Sequence, residues 1–101
     1  MILNTDYGKY DVSIMLETYT NNNNTCISLY DEDGCPFATI TTNIEKLPKE
    51  YACIDTNNCH WATKFLTDNG IGEPTEYYKN SGFCTYPVYK LNLNKLKRRE
   101  N

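Results

Sequence analysis

A chain of 101 residues, 40% hydrophobic and carrying a net charge of −3, has the length of one domain, and a domain of this size buries roughly two-thirds of the surface its unfolded form exposes. The opening Met1-Ile2-Leu3-Asn4-Thr5-Asp6-Tyr7 has no basic start and no apolar run, which argues against a secretory leader or membrane span and for a cytoplasmic protein. An acidic balance of this kind also disfavours a general nucleic-acid binder, because phosphate contacts need clustered bases.

Residues 10–20 alternate, with Tyr10, Val12, Ile14, Leu16 and Thr18 on one face and Asp11, Ser13 and Glu17 on the other, as a half-buried strand requires. The tetrad Asn21-Asn22-Asn23-Asn24 tolerates positive φ and suits a hairpin loop of about four residues. Residues 26–30 return with Ile27 and Leu29 inward, and Asp33-Gly34 is a pair favoured in tight turns. Residues 37–43, rich in Thr, Ile and Phe, make a third strand with Ala38, Ile40 and Ile44 inward, completing an antiparallel meander. A polar connection over 45–50 leads to a short fourth strand through Ala52 and Ile54.

Asp55-Thr56-Asn57-Asn58 offers oxygens to cap a helix, and Trp61, Ala62, Phe65 and Leu66 fall on one face of a three-turn helix over 59–69 that Asn69-Gly70 ends. With only one helix to close the core, that stripe reads as buried rather than as a partner face. Gly72-Glu73-Pro74-Thr75 reads as a turn, 76–79 as a short strand, and Asn80-Ser81-Gly82 as a break before a final strand over 83–93, where Pro87 marks an edge or a bulge. The order β-β-β-β-α-β-β predicts an α+β fold: a mostly antiparallel sheet of five to six strands with one helix packed on one face.

The last seven residues carry four bases and one acid, net +3, leaving −6 on residues 1–94. The expectation is a globular domain over 1–94 and a basic, frayed tail over 95–101. Lys95, Lys97, Arg98 and Arg99 in that tail are the candidate phosphate contacts.

The five cysteines, Cys26, Cys35, Cys53, Cys59 and Cys84, are odd in number and irregularly spaced, so they read as reduced thiols. The nearest metal-like set, Cys53 with Cys59, His60 and Cys84, lacks paired-ligand spacing, and Asp31, Glu32 and Asp33 are too few for a calcium loop, so no metal or cofactor is expected. The lone histidine, His60, adjoins Cys59, but neighbours on a helix point about 100° apart and do not form a catalytic pair. No catalytic residue is assigned, and the chain reads as a non-enzyme.

Nine tyrosines exceed the needs of so small a core, and Tyr7, Tyr19, Tyr30, Tyr77 and Tyr78 fall in loops or at outward positions. The candidate interface is therefore Tyr19, Tyr30, Tyr77 and Tyr78 with the acidic turn Asp31, Glu32 and Asp33. A protein partner is favoured over nucleic acid, the basic tail being the alternative route. An open strand leaves both a monomer and a homodimer admissible.

The strings Leu29-Tyr30-Asp31-Glu32-Asp33-Gly34-Cys35-Pro36-Phe37-Ala38-Thr39-Ile40-Thr41-Thr42-Asn43, Asn69-Gly70-Ile71-Gly72-Glu73-Pro74-Thr75 and Ser81-Gly82-Phe83-Cys84-Thr85-Tyr86-Pro87 are similar to a family of small proteins from Gram-positive bacteria, a domain of unknown function. The resemblance spans residues 10–93. It implies a setting on conjugative elements, plasmids and phages, and it carries no reaction and no catalytic residues.

Overall fold

The chain begins with a hairpin that its composition does not announce: β1 (Ile2–Thr5) and β2 (Gly8–Asp11) pair antiparallel from Ile2↔Asp11 to Thr5↔Gly8. The computed structural model describes residues 1–98, with side chains as far as Leu96. Leu3 is wholly buried beneath the hairpin, and the N-terminal amine pairs with the Asp11 carboxylate at 2.9 Å. The single strand expected over 10–20 is therefore two. They part at Val12, whose side chain is buried while its N–H donates to the Met1 carbonyl at 2.8 Å instead of to a sheet neighbour.

β3 (Ser13–Thr18), β4 (Thr25–Tyr30) and β5 (Pro36–Thr39) form the expected meander. Ile14 faces Leu29 and Leu16 faces Ile27, all four buried, and Ala38 packs against them from β5. Alternation of apolar and polar residues places this layer on the core. The turn between β4 and β5 is looser than an Asp-Gly hairpin. Asp31 Oδ1 accepts from the N–H groups of Asp33 and Cys35, both at 2.9 Å, and Gly34 takes the left-handed φ of 81°.

The third strand does not run through to residue 43. It stops at Ile40, and β6 (Thr41–Thr42) continues in a different sheet, paired with β7 (Tyr51–Ile54). The Ile40 N–H donates to the Ile27 carbonyl at 3.0 Å, and its own carbonyl accepts from the Asp55 N–H at 2.8 Å. One wholly buried residue thus hands the chain from sheet to sheet.

The helix α1 (Ala62–Asp68) is two turns long rather than three. Residues 55–60 form a turn instead, because Asp55 spends its carboxylate on the Asn58 N–H at 3.2 Å and Nδ2 at 2.9 Å, and no side chain caps the helix. Its buried face, Ala62, Phe65 and Leu66, is the expected one. So is its end: Gly70 sits at φ 65°, the Ile71 N–H reaches back to the Leu66 carbonyl and the Gly70 N–H to that of Thr67, the paired closure of a left-handed helix stop.

β8 (Gly72–Ser81) is one ten-residue strand where the sequence reads as a turn and a fragment, and it pairs with β9 (Cys84–Leu91) around the loop Gly82-Phe83. The register slips between Pro74 and Tyr78, where the Thr75 hydroxyl donates to the Val88 carbonyl at 2.6 Å. Pro87 lies opposite Tyr78 beside that slip, one residue past the last β7–β9 pair, Cys53↔Val88. β9 lies inside the order β6-β7-β9-β8, so the bulge reading of Pro87 is correct and the edge reading is not.

A single 3-10 turn (Leu93–Lys95) then leads to β10 (Lys97–Arg98), which pairs parallel with β3, Lys97↔Met15 and Arg98↔Leu16. Leu96 is buried in the core just before it. The packed chain thus runs past the expected boundary at 94, and Arg99 lies outside the described residues. The class is α+β and mostly antiparallel as expected, but the one sheet of five to six strands is replaced by a two-stranded ribbon and two four-stranded sheets, whose core lies between them and α1. Among the described residues no helix is long and apolar enough to cross a membrane.

Candidate interaction surface

The candidate residues fall into three places. Tyr30, Asp31 and Glu32 come together with Ser13, Met15 and Gly34 around a groove of about 350 Å³ on the outer face of the meander. This follows from strand geometry: Ser13, Met15 and Glu17 alternate with buried Ile14 and Leu16, and Tyr30 pairs across from Ser13. The Tyr30 hydroxyl donates to Glu17 Oε1 at 2.9 Å, which holds the ring along the strand. Asp31 is half-buried and shapes the turn, while Glu32 and Asp33 are exposed, so the rim is acidic and the floor is Met and Tyr.

Tyr19 is elsewhere and works inside the fold. Its hydroxyl lies 3.0 Å from Thr41 Oγ1 and 3.2 Å from the Thr41 carbonyl, and burial pushes its pKa up to about 12. It braces the loop over 19–24, whose asparagines are occupied with one another. Asn43 Oδ1 accepts from Asn22 Nδ2 at 3.1 Å and Asn24 Nδ2 at 2.9 Å, and Asn43 Nδ2 donates to Asn21 Oδ1 at 2.9 Å. Buried Asn24 also donates to the Glu45 carbonyl at 2.6 Å and accepts from the Leu47 N–H at 3.0 Å. The tetrad is a clasp on the 43–49 connection. Among the described residues no buried side-chain nitrogen or oxygen lacks a hydrogen bond.

Tyr77 and Tyr78 stand on the slipped part of β8, 61% and 62% exposed, and Phe83 at the hairpin tip is fully in solvent. A second cleft of about 180 Å³ opens beside them, lined by Leu47, Pro48, Tyr51, Tyr77, Lys79 and Val88, with Lys79 paired to Glu45. Phe83 escapes the sequence argument because alternation alone assigns it to a strand. So does a run of rings, Tyr10 to Phe37 at 5.2 Å, Phe37 to Trp61 at 6.3 Å and Trp61 to Phe65 at 6.5 Å, that joins three separate elements.

Lys95 Nζ lies over the helix stop, 2.8 Å from where a Cβ on Gly70 would sit, and Lys97 and Arg98 hold backbone positions beside β3.

Two of the buried thiols are pushed away from the thiolate form. Cys59 is buried, burial pushes its pKa up, and the Asp55 charge pushes the same way; Cys53 is raised by burial too. Among the described residues no cluster of three or more His, Cys, Asp or Glu side chains is placed to hold a metal ion. Cys35 is exposed, Cys84 half-buried and the other three buried, so a thiol reagent at neutral pH titrates Cys35 first and Cys84 more slowly. Cys26, Cys53 and Cys59 react only on unfolding, and equal rates for all five in native buffer would contradict this packing.

A family model described as a domain of unknown function, DUF4313, matches residues 13–101. The chain belongs to that family. The DUF4313 match opens at Ser13, the first residue of β3, so the β1–β2 ribbon precedes the matched span, and it continues through β10 to the last residue. Comparison with curated proteins and with solved structures gives no match.

Proposed function

We propose that this protein is a non-enzymatic accessory of a mobile element that acts by binding another protein through the groove at Tyr30, Asp31 and Glu32. The observation that carries the reading is the groove's make-up: a Met and Tyr floor that adapts to a partner's side chains, rimmed by carboxylates that select a basic one. The partner class is a protein with a basic, nucleic-acid-binding surface, of the host's defence or the element's maintenance machinery, which the acidic groove occupies in place of phosphate. The mobile-element setting rests on family resemblance alone.

The test is affinity purification of the tagged protein from its cells at physiological salt, with nuclease treatment, beside the Glu32→Lys/Asp33→Lys variant. Both positions are exposed, so the variant folds. A stoichiometric protein partner survives nuclease with the native chain, and the charge reversal weakens it about tenfold or more, which is ~1.4 kcal/mol. Retention of nucleic acid alone would move the function to Lys95, Lys97, Arg98 and Arg99, and an unchanged partner in the variant would remove the groove from it.

A further inference from the structure

Residues 13–39, which span β3, β4 and β5, contain four acids, Glu17, Asp31, Glu32 and Asp33, and no base. The other four-stranded sheet is balanced, with Glu73 and Glu76 against Lys79 and Lys90. What lies on the outer edge of β3 is the reverse of the meander: β10 places Lys97 and Arg98 there, between Lys95 and Arg99 in the sequence. The basic end of the chain therefore sits on its acidic sheet, as charge complementarity favours.

β10 is a weak occupant of that edge. It pairs with two of the six residues of β3, Met15 and Leu16, whereas β4 pairs with all six on the other side. Its pairing is parallel, the less stable arrangement per residue, and every other strand pair among the described residues is antiparallel. Nor does the core depend on it, because Leu96, the residue before β10, is itself buried and fixes the chain there. Lys97 and Arg98 can leave β3 with Leu96 in place.

An incoming strand has more backbone bonds to form than β10 has to lose, since an extended segment of matching length pairs along the whole of β3. Side chains alternate across such a strand, so every second one shares the outer face with Met15, which floors the groove, and with Glu17. The chain's own segment gives the pattern: a buried Leu96, then Lys97 at the register of Met15. We propose that the partner docks as an extended strand of alternating apolar and basic residues on the β3 edge, displacing β10, which is this chain's own stand-in for it. The inference rests on the groove's reading as a site for a basic protein, and adds to it the mode of docking and a built-in competitor.

The probe is the synthetic peptide of residues 93–101, added to the isotope-labelled full-length chain and followed by amide NMR signals. In Lys97→Pro/Arg98→Pro both pairing positions lose their N–H groups, so the edge is open and the peptide shifts the Met15, Leu16 and Glu17 signals. The native chain, whose tethered β10 fills the edge, binds it about tenfold more weakly. The same peptide with Lys95, Lys97, Arg98 and Arg99 replaced by Glu does not bind. Lys97→Glu/Arg98→Glu repels the acidic sheet without constraining the backbone and binds the native peptide as the proline variant does, so it decides the matter if circular dichroism shows that the prolines disturb folding. Equal affinity for the native chain and the variants, binding of the charge-reversed peptide, or no shift at Met15 and Leu16 at millimolar peptide overturns the proposal. No cellular partner is needed: a purification without a protein partner ends the proposed function and leaves the edge, while a silent peptide ends the docking mode and leaves the groove.

Discussion

Asn24→Ala lowers the stability of this fold by about 2–3 kcal/mol, more than its place in a polar asparagine run suggests. The substitution strands two groups at once, the Glu45 carbonyl and the Leu47 N–H, and takes from Asn43 Oδ1 one of its two donors, leaving it Asn22 Nδ2. Leaving part-buried polar groups unpaired costs more than an average hydrogen bond contributes, because water does not fully replace the lost contacts. Asn24→Asp separates the two halves of the effect. It keeps an acceptor for Leu47 but sets a carboxylate against the Glu45 carbonyl, so it too destabilises at neutral pH. Urea unfolding at pH 7 measures both; a shift under ~0.5 kcal/mol for the alanine variant would show that the clasp contributes little.

The second large effect is in the core. Phe65→Ala costs about 3–5 kcal/mol, a sizeable part of the 5–15 kcal/mol that holds a typical domain together. Phe65 is 4% exposed, sits in the middle of a helix only two turns long and is the inner end of the ring series from Tyr10. A helix this short has little stability of its own and stays helical because its apolar face is packed. Phe37→Ala is the comparison: that ring touches Tyr10 and Trp61 but is 37% exposed, so its loss costs about 1 kcal/mol. Denaturant midpoints for the two variants give the ratio directly. Similar midpoints would mean that the helix is not held by Phe65.

The meander was legible because one strong rule governs it: Ile14, Leu16, Ile27, Leu29 and Ala38 alternate with residues of the outer face, most of them polar, and only one register buries all of them. The same rule hid both strand breaks. Val12 and Ile40 continue the alternation, so nothing in the residue types shows that their backbone bonds leave the ladder. β8 was hidden by the opposite effect, since Gly72 and Pro74 are turn formers and only pairing with β9 makes them a strand. The helix came out a turn short because Asp55 serves a turn of its own, a competition between two local hydrogen-bond patterns that composition does not resolve.

The surface followed the same logic. Tyr30, Asp31 and Glu32 are consecutive, so their grouping needed no tertiary information, whereas Met15 and Ser13 join them only through the β3–β4 register. Tyr19 looked outward by its place in a loop, but its hydroxyl is tied to Thr41, 22 residues away. The cleft beside Tyr77, and the rings of Tyr10, Phe37 and Trp61, depend on contacts between elements far apart in the chain.

The residue that passes the chain between sheets has a consequence for how the protein moves. Ile40 bonds one sheet through its N–H and the other through its carbonyl, and its side chain lies in the core they share. There is no linker at this junction to act as a seam, so peeling either sheet away breaks a backbone bond of the other and opens the common interior. The two sheets behave as one cooperative unit, and native-state amide exchange in their inner strands proceeds through openings that involve both.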